Sequence, residues 1–295
     1  MNDAARSFAP GMAAAIARAE QFQSPEEAAA FWSEGGPAVE TVDLTYTGGA
    51  GQSQRLRLYR GGGADALTLL YIHGGGWTGG SIELQDRSAR GLAVLGGINV
   101  VSISYRLAPA RPYPAGLEDC LAALDWITSA GKVQGLNGAR VAAGGASAGA
   151  NLAAAVALAR PGRLSGLLLF YGVLGADFDT DSYRRYADGY GLTRARMIEL
   201  FDMYDPAAAH RADPLMVPLA SDALDGLPPT VVIAAELDVL LDDSRAFAAA
   251  LAQAGTAHEF HIEPGVTHGF INRGRLVPSA DRAVARAAGF LKQHA

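Results

Sequence analysis

The 295-residue chain holds one cysteine, Cys120, which excludes an intramolecular disulfide and any zinc site built on cysteine pairs. Cys120 stands in Leu117-Glu118-Asp119-Cys120-Leu121, a helical pattern in which a lone cysteine packs as a small apolar residue. Charge is also sparse: Asp, Glu, Lys and Arg make up 18% of the residues, with a net charge of −6 and a pI near 5.5. No basic stripe is left to neutralise phosphates, so nucleic acid is not expected as a partner and a neutral small molecule is the simpler substrate. A membrane span is not expected either: residues 141–159 are uncharged, but Gly, Ser and Asn break them into strand, turn and helix. Asp3 and Arg6 near the start, then Arg18 and Glu20 in the Ala-rich stretch, interrupt what would be the apolar core of a secretory signal. A cytoplasmic location is therefore expected.

Apolar residues are plentiful at 49%, enough for a sheet covered on both faces, and the length fits one core with a small accessory cap. Residues up to about Pro37 read as one or two helices ahead of the main fold. Residues 41–47 and 54–59 alternate and are separated by Gly48, Gly49 and Gly51, the pattern of an antiparallel hairpin at a sheet edge. Six short apolar runs follow at 67–72, 98–105, 140–144, 164–171, 230–235 and 257–262. Helical stretches alternate with them near 86–95, 117–128, 148–159, 242–254 and 279–293. Continuous apolar strands between helices describe a buried parallel sheet, here of about eight strands in an α/β fold. Residues 175–227 break the rhythm with no strand and two expected short helices, 193–204 and 206–212. A stretch of this length is usually functional. The expected division is a helical cap contributed by residues 1–40 and by an insertion at about 175–227, on a catalytic domain of residues 41–295.

Acyl transfer at neutral pH needs a nucleophile, a base, a group that orients the base, and donors for the oxyanion. Gly145-Ala146-Ser147-Ala148-Gly149 matches G-x-S-x-G between an apolar strand and an Ala-rich helix, the setting in which a sharp turn exposes the serine. A phosphate-cradling helix start is the competing reading, but no G-x-x-x-x-G-K-S/T pattern is present. His73-Gly74-Gly75-Gly76-Trp77 directly follows the run 67–72, and its glycines let backbone N–H groups face a substrate oxygen. Gly75, Gly76 and Ala148 are the candidate oxyanion donors. His268, in Gly265-Val266-Thr267-His268-Gly269-Phe270 after the last run, is the candidate base. His73, at the head of its glycine turn, reads as a loop support. Asp238 follows the run 230–235 and completes the order Ser, Asp, His used by this kind of site. Asp242 and Asp243 read as acids at the start of the next helix, and Glu236 is a weaker competitor. Trp77, Phe178, Tyr190, Phe201 and Tyr204 are candidates either for lining a substrate pocket or for ordinary packing.

These motifs resemble the bacterial hormone-sensitive-lipase-like esterases of the α/β-hydrolase superfamily, which carry HGGGW, YRLAPE-x-x-(F/Y)PA, GDSAGGNL, D-P-L-x-D and H-G-F. Here the second block reads Tyr105-Arg106-Leu107-Ala108-Pro109-Ala110-Arg111-Pro112-Tyr113-Pro114-Ala115. The resemblance spans most of the chain. It implies an α/β-hydrolase fold, hydrolysis of short-acyl esters through an acyl-enzyme, and the triad Ser147, Asp238 and His268 with Gly75, Gly76 and Ala148 as the oxyanion hole. No cofactor and no metal are implied, and a homodimer is a possible assembly. Arg106, Pro109 and Asp119 match family positions as structural supports. Three departures stand out: Ala146 for the family's Asp, Ala150 for a Gly and Val239 for a Pro.

Two rivals remain at this level. An amidase, formamidase or lactone hydrolase would use the same groups on the same fold. A non-catalytic ligand-binding module, as in the plant gibberellin receptors that resemble the family but lack the triad histidine, is opposed by His268. Calcium binding by Asp177, Asp179 and Asp181 is disfavoured, because Ser182 stands where such a loop needs glycine and Arg184 and Arg185 would repel the ion.

Overall fold

The computed structural model describes residues 7–295; Asp3 and Arg6 of the leader argument lie outside them. The described chain opens with α1 (Met12–Ala19) and α2 (Pro25–Ser33). Ser24 Oγ accepts the Glu27 N–H and Pro25 occupies the first helical position, where its missing donor costs nothing. The hairpin follows as β1 (Glu40–Thr47) and β2 (Ser53–Arg60), with Thr47 opposite Ser53. Its glycine turn is tied to the body of the protein by Asp119, whose carboxylate accepts the Gly49 N–H and the side chains of Gln52 and Arg106. Arg106 and Asp119 are thus supports, as the sequence suggests.

Alternating strands and helices then run β3 (Thr68–Ile72), α3 (Asp86–Gly96), β4 (Asn99–Ile103), α4 (Ala115–Thr128), β5 (Val141–Ala146), α5 (Ala148–Ala159) and β6 (Gly166–Phe170). After a strand-free stretch holding α6 (Asp181–Arg185) and α7 (Arg194–Tyr204) come β7 (Thr230–Leu237), α8 (Leu241–Ala254), β8 (His258–Thr267) and α9 (Pro278–His294). The strands form one eight-stranded sheet in the order β1-β2-β4-β3-β5-β6-β7-β8. β1 and β2 pair antiparallel, as do β2 and β4, and every other pair is parallel.

Because side chains alternate across a strand, each parallel strand feeds two cores. Leu70 and Ile72 of β3, Leu167 and Leu169 of β6, and Val232 and Ala234 of β7 join the cluster under α4, α5 and α8. Their neighbours Leu69, Tyr71, Leu168, Phe170, Val231 and Ile233 join the cluster with α1, α3 and α9. This double burial is why the strands read as unbroken apolar runs. No helix among the described residues is long and apolar enough to cross a membrane, and residues 141–159 resolve into β5, a turn and α5.

Two expectations need correction. Residues 206–212 carry no helix: the buried Asp205 carboxylate accepts the N–H groups of Ala209 (3.3 Å) and His210 (3.0 Å) and pairs with the His210 ring, which winds the chain into a turn instead. The last strand also continues five residues past 262, to Thr267. Pro264 and Gly265 resemble a turn, but Glu236 accepts the Gly265 N–H (2.8 Å) and a register shift between Ala235 and Leu237 absorbs the irregularity, so that Leu237 still pairs with Thr267.

Candidate active site

The sheet's connections reverse direction around β3: β4 lies on one side of it and β5 on the other. A crevice opens beyond the carboxyl ends of the strands at such a switch point, and the glycine loop after β3 and Ser147 after β5 meet there. Ser147 has φ 58° and ψ −122°, a conformation rare for a residue with a side chain and one that persists only when its surroundings impose it. Here the constraint is close packing of backbone on backbone. A Cβ on Gly149 would lie 2.0 Å from the Ile72 carbonyl oxygen, so only glycine lets α5 start that near to β3. The Ser147 N–H donates to the Phe170 carbonyl (2.9 Å), and the Ser147 carbonyl accepts the N–H groups of Ala150 and Asn151. Ala146 is buried and lines the cavity beside Ser147, and the turn around it is closed by these backbone bonds.

Three side chains from three strand ends converge. Ser147 Oγ donates to His268 Nε2 at 2.9 Å, and His268 Nδ1 donates to Asp238 Oδ2 at 2.7 Å. Asp238 is 2% exposed and its other oxygen accepts the Leu240 N–H, so the carboxylate can turn neither away from the ring nor toward water. The Tyr171 ring meets the His268 ring edge to face, with centroids 4.8 Å apart, holding the imidazole from the side.

The glycine loop supplies donors. Gly75 has φ 128°, and a Cβ there would fall 2.2 Å from the Gly79 carbonyl oxygen. Its carbonyl accepts the Thr78 and Gly79 N–H groups, whereas the N–H groups of Gly75, Gly76 and Ala148 donate to nothing among the described residues. For Ala148, at the start of α5, the free donor is a property of any helix N-terminus. All of Gly75, Gly76 and Ser147 border a cavity of about 270 Å³, with Ala148 next in the chain.

His73 is the loop support that the sequence suggests. Its Nδ1 bonds the Gly74 carbonyl, its ring stacks on Tyr105 at 4.4 Å, and Tyr105 Oη donates to the His73 carbonyl. Burial pulls its pKa down to about 4, which keeps the ring neutral. Trp77 is buried, stacked on Tyr204 at 4.3 Å and edge-on to Phe201, and Phe178 packs on Phe201. These aromatics, with Tyr190 against Phe8 and Tyr186, are packing residues; the segment between β6 and β7 lines the cavity instead with the aliphatic Leu192, Met197 and Leu200 and with Arg196.

The acids around the site divide by partner. Asp242 accepts the Ser182 N–H and pairs with Arg245. Asp243 heads α8 as expected, but it also accepts the N–H groups of Leu174 and Gly175 (3.1 and 2.8 Å), and burial raises its pKa to about 7. Asp177 accepts the Asp179 N–H, and Asp179 pairs with Arg194, so these acids are engaged within their loop. Among the described residues no group of three or more His, Cys, Asp or Glu is arranged to hold a metal.

Sequence reasoning missed Asn151. Its amide accepts Trp77 Nε1–H (3.3 Å) and donates to the carbonyls of Val173 and Met216 (2.9 and 2.8 Å), joining the glycine loop, α5 and the segment after β6. The available signal was a lone amide in a helix otherwise made of Ala, Gly, Leu and Val. Tyr171 under His268 was also missed, hidden as the last residue of an apolar run.

Comparison with known proteins identifies the fold and the family. A family model described as alpha/beta hydrolase fold matches residues 69–272. The chain is 33% identical over 264 residues to an ethyl acetate hydrolase of Pseudomonas putida, covering 85% of this chain and 82% of that protein. It is 37% identical over 232 residues to the carboxylesterase NlhH of Mycobacterium tuberculosis, covering 76% and 73%. The crystal structure of a thermostable esterase from Pseudomonas putida ECU1011 superposes with a TM-score of 0.87 at 29% identity, over 99% of both chains. The chain belongs to the α/β-hydrolase family, in its hormone-sensitive-lipase-like branch, and is a carboxylic ester hydrolase.

Proposed function

We propose that the protein cleaves short-acyl carboxylic esters through an acyl-enzyme formed on Ser147. The observation that carries this reading is the unbroken relay of 2.9 and 2.7 Å from Ser147 Oγ through His268 to the buried Asp238 carboxylate. Ser147 Oγ attacks the ester carbonyl as His268 Nε2 takes its proton, and the oxyanion that forms is met by the Gly75, Gly76 and Ala148 N–H groups. His268 then protonates the departing alcohol. Water enters, loses a proton to His268, attacks the acyl carbonyl, and the acid leaves with Ser147 restored. Asp238 stays ionised and keeps the His268 proton on Nδ1, so that Nε2 is free to accept.

The short-acyl preference is supported by the cavity of about 270 Å³, below the roughly 300 Å³ at which ligand pockets usually begin. We read residues 175–227 as a cap, because Leu192, Met197 and Leu200 border the cavity that holds Ser147. Of the segment 1–40, residues 1–6 lie outside the described residues, and we assign 7–40 to the same cap through the ring contact of Phe8 with Tyr190. The test is hydrolysis of p-nitrophenyl acetate, butyrate, octanoate and palmitate by wild type and by Ser147→Ala. Turnover of the first two that exceeds the last two and disappears in Ser147→Ala is expected. Activity persisting in Ser147→Ala would overturn the nucleophile assignment.

A further inference from the structure

The arginines packed into this protein are paired. Arg57 and Arg90 reach Asp86, Arg87 reaches Asp281, and Arg106 reaches Asp119, each with its side chain less than a fifth exposed. This is what burial of a guanidinium requires, since an uncompensated charge out of water is costly. Arg273 departs from the pattern. It is part-buried on the 3-10 turn Phe270–Arg273, just past His268, and has no carboxylate partner among the described residues. Its one hydrogen bond is a long one from Nη1 to Thr267 Oγ1, at 3.4 Å. Burial lowers its pKa below that of a free guanidinium, and the ionisable group acting on it is the Tyr171 phenol.

Arg273 borders a second cavity of about 460 Å³ between α1, α2 and the His268 loop. Phe22, Pro25, Ala28 and Trp32 form an apolar part of its wall beside Gln23 and Ser24, and no Asp or Glu lines the space. Leu84, Gly269 and Asn272 border both this cavity and the one holding Ser147, so the two spaces adjoin beside the loop that follows His268. The alcohol half belongs on this side of the site in our reading, because its oxygen takes a proton from His268 Nε2 and Gly269, next to His268, borders both cavities.

Building on the esterase reading above, we propose that Arg273 is the floor of an anion subsite for the alcohol half, and that the preferred substrates are esters whose alcohol carries a carboxylate. The guanidinium fork suits a carboxylate through two parallel hydrogen bonds, and the apolar wall accepts the methylenes that separate the charge from the ester oxygen.

The test uses butyrate esters of 3-hydroxypropanoate, 4-hydroxybutanoate and 5-hydroxypentanoate, each beside its primary amide, which keeps the shape and removes the charge. The reading is the ratio of kcat/KM for carboxylate over amide. For wild type a ratio of about tenfold or more is expected at one chain length at least, the size of one charge-assisted pairing. Arg273→Gln brings that ratio close to one, and Arg273→Lys retains part of it. A wild-type ratio at or below one at every length overturns the subsite without recourse to any variant, and so does a ratio that survives in Arg273→Gln. Monobutyl succinate and glutarate carry the charge on the acyl half; a preference for these would overturn the assignment to the alcohol side. Failure of wild type on p-nitrophenyl butyrate would sink the esterase reading and the subsite with it, whereas turnover without charge preference removes the subsite alone.

Discussion

Replacing Asp238 with asparagine tests the relay at its least visible member. The new amide would be held as the carboxylate is now: its carbonyl oxygen could still accept the Leu240 N–H, at the 3.1 Å seen for Asp238 Oδ1. Its nitrogen would then face His268 Nδ1 from the position of Oδ2, 2.7 Å away. Two donors cannot bond each other, so the imidazole responds by placing its proton on Nε2. That nitrogen faces Ser147 Oγ at 2.9 Å and becomes a donor where the reaction needs an acceptor. The volume, the buried contacts and the substrate cavity are all unchanged. The expected result is a fall in kcat of about 10³ to 10⁴, or roughly 4–5.5 kcal/mol in the barrier, with KM and Tm close to wild type. The assay is p-nitrophenyl butyrate hydrolysis at neutral pH, beside thermal unfolding of the same samples. A loss of less than tenfold in a folded Asp238→Asn protein would refute the tautomer argument and return Glu236 to consideration as the orienting acid.

Gly149→Ala places a methyl 2.0 Å from the Ile72 carbonyl, an overlap of backbone with backbone that no rotamer relieves; a drop in stability of about 1–3 kcal/mol or more with loss of ester turnover is expected, and a Tm equal to wild type would show that α5 can retreat from β3. Asp243 has its pKa raised to about 7 by burial, so between roughly pH 4 and 7 the folded protein binds a proton that the unfolded chain has lost, and this group makes stability fall as pH rises. Asp243→Asn removes that contribution: urea unfolding is expected to show the variant gaining on wild type from about pH 5 to about pH 8, and a stability difference independent of pH contradicts the assignment.

The architecture was legible wherever one physical rule dominated a segment. Double-faced burial made β3 to β7 continuous apolar runs, and Gly48, Gly49 and Gly51 marked the hairpin turn. The first layer of the proposed site was marked in the sequence for the same reason. Ser147 and the glycine loop depend on local backbone geometry, which short motifs encode through the glycines that it demands. What escaped depends on contacts between distant segments. The continuation of β8 through Pro264 and Gly265 rests on Glu236 of the neighbouring strand. The turn at 206–212 rests on a carboxylate capturing N–H groups four and five residues ahead, which competes with a helix built from the same residues. Aromatic residues attract attention as pocket walls, yet Trp77, Tyr204 and Phe201 satisfy one another and leave the wall to Leu192, Met197 and Leu200.

Asn151 explains why those buried aromatics still matter to the chemistry. Oxyanion donors are useful only if they are aimed before charge develops, since reorientation during the reaction would cost what the hydrogen bonds return. Gly75 and Gly76 have no side chains with which to hold themselves, and the next residue, Trp77, does it for them. Its ring is clamped by Tyr204 and Phe201 of α7 and its Nε1–H is fixed by Asn151 of α5, the helix that begins with the third proposed donor, Ala148. The three N–H groups are therefore referenced to one helix, and the segment between β6 and β7 is tied to it by the Asn151 bonds to Val173 and Met216. The aliphatic wall that faces the substrate and the aromatic clamp that aims the donors come from the same helix, α7: Met197 and Leu200 border the cavity while Phe201 and Tyr204 grip Trp77. Any movement of α7 that enlarged the cavity would loosen the oxyanion loop as well, which couples the size of the substrate that enters to the donors that act on it.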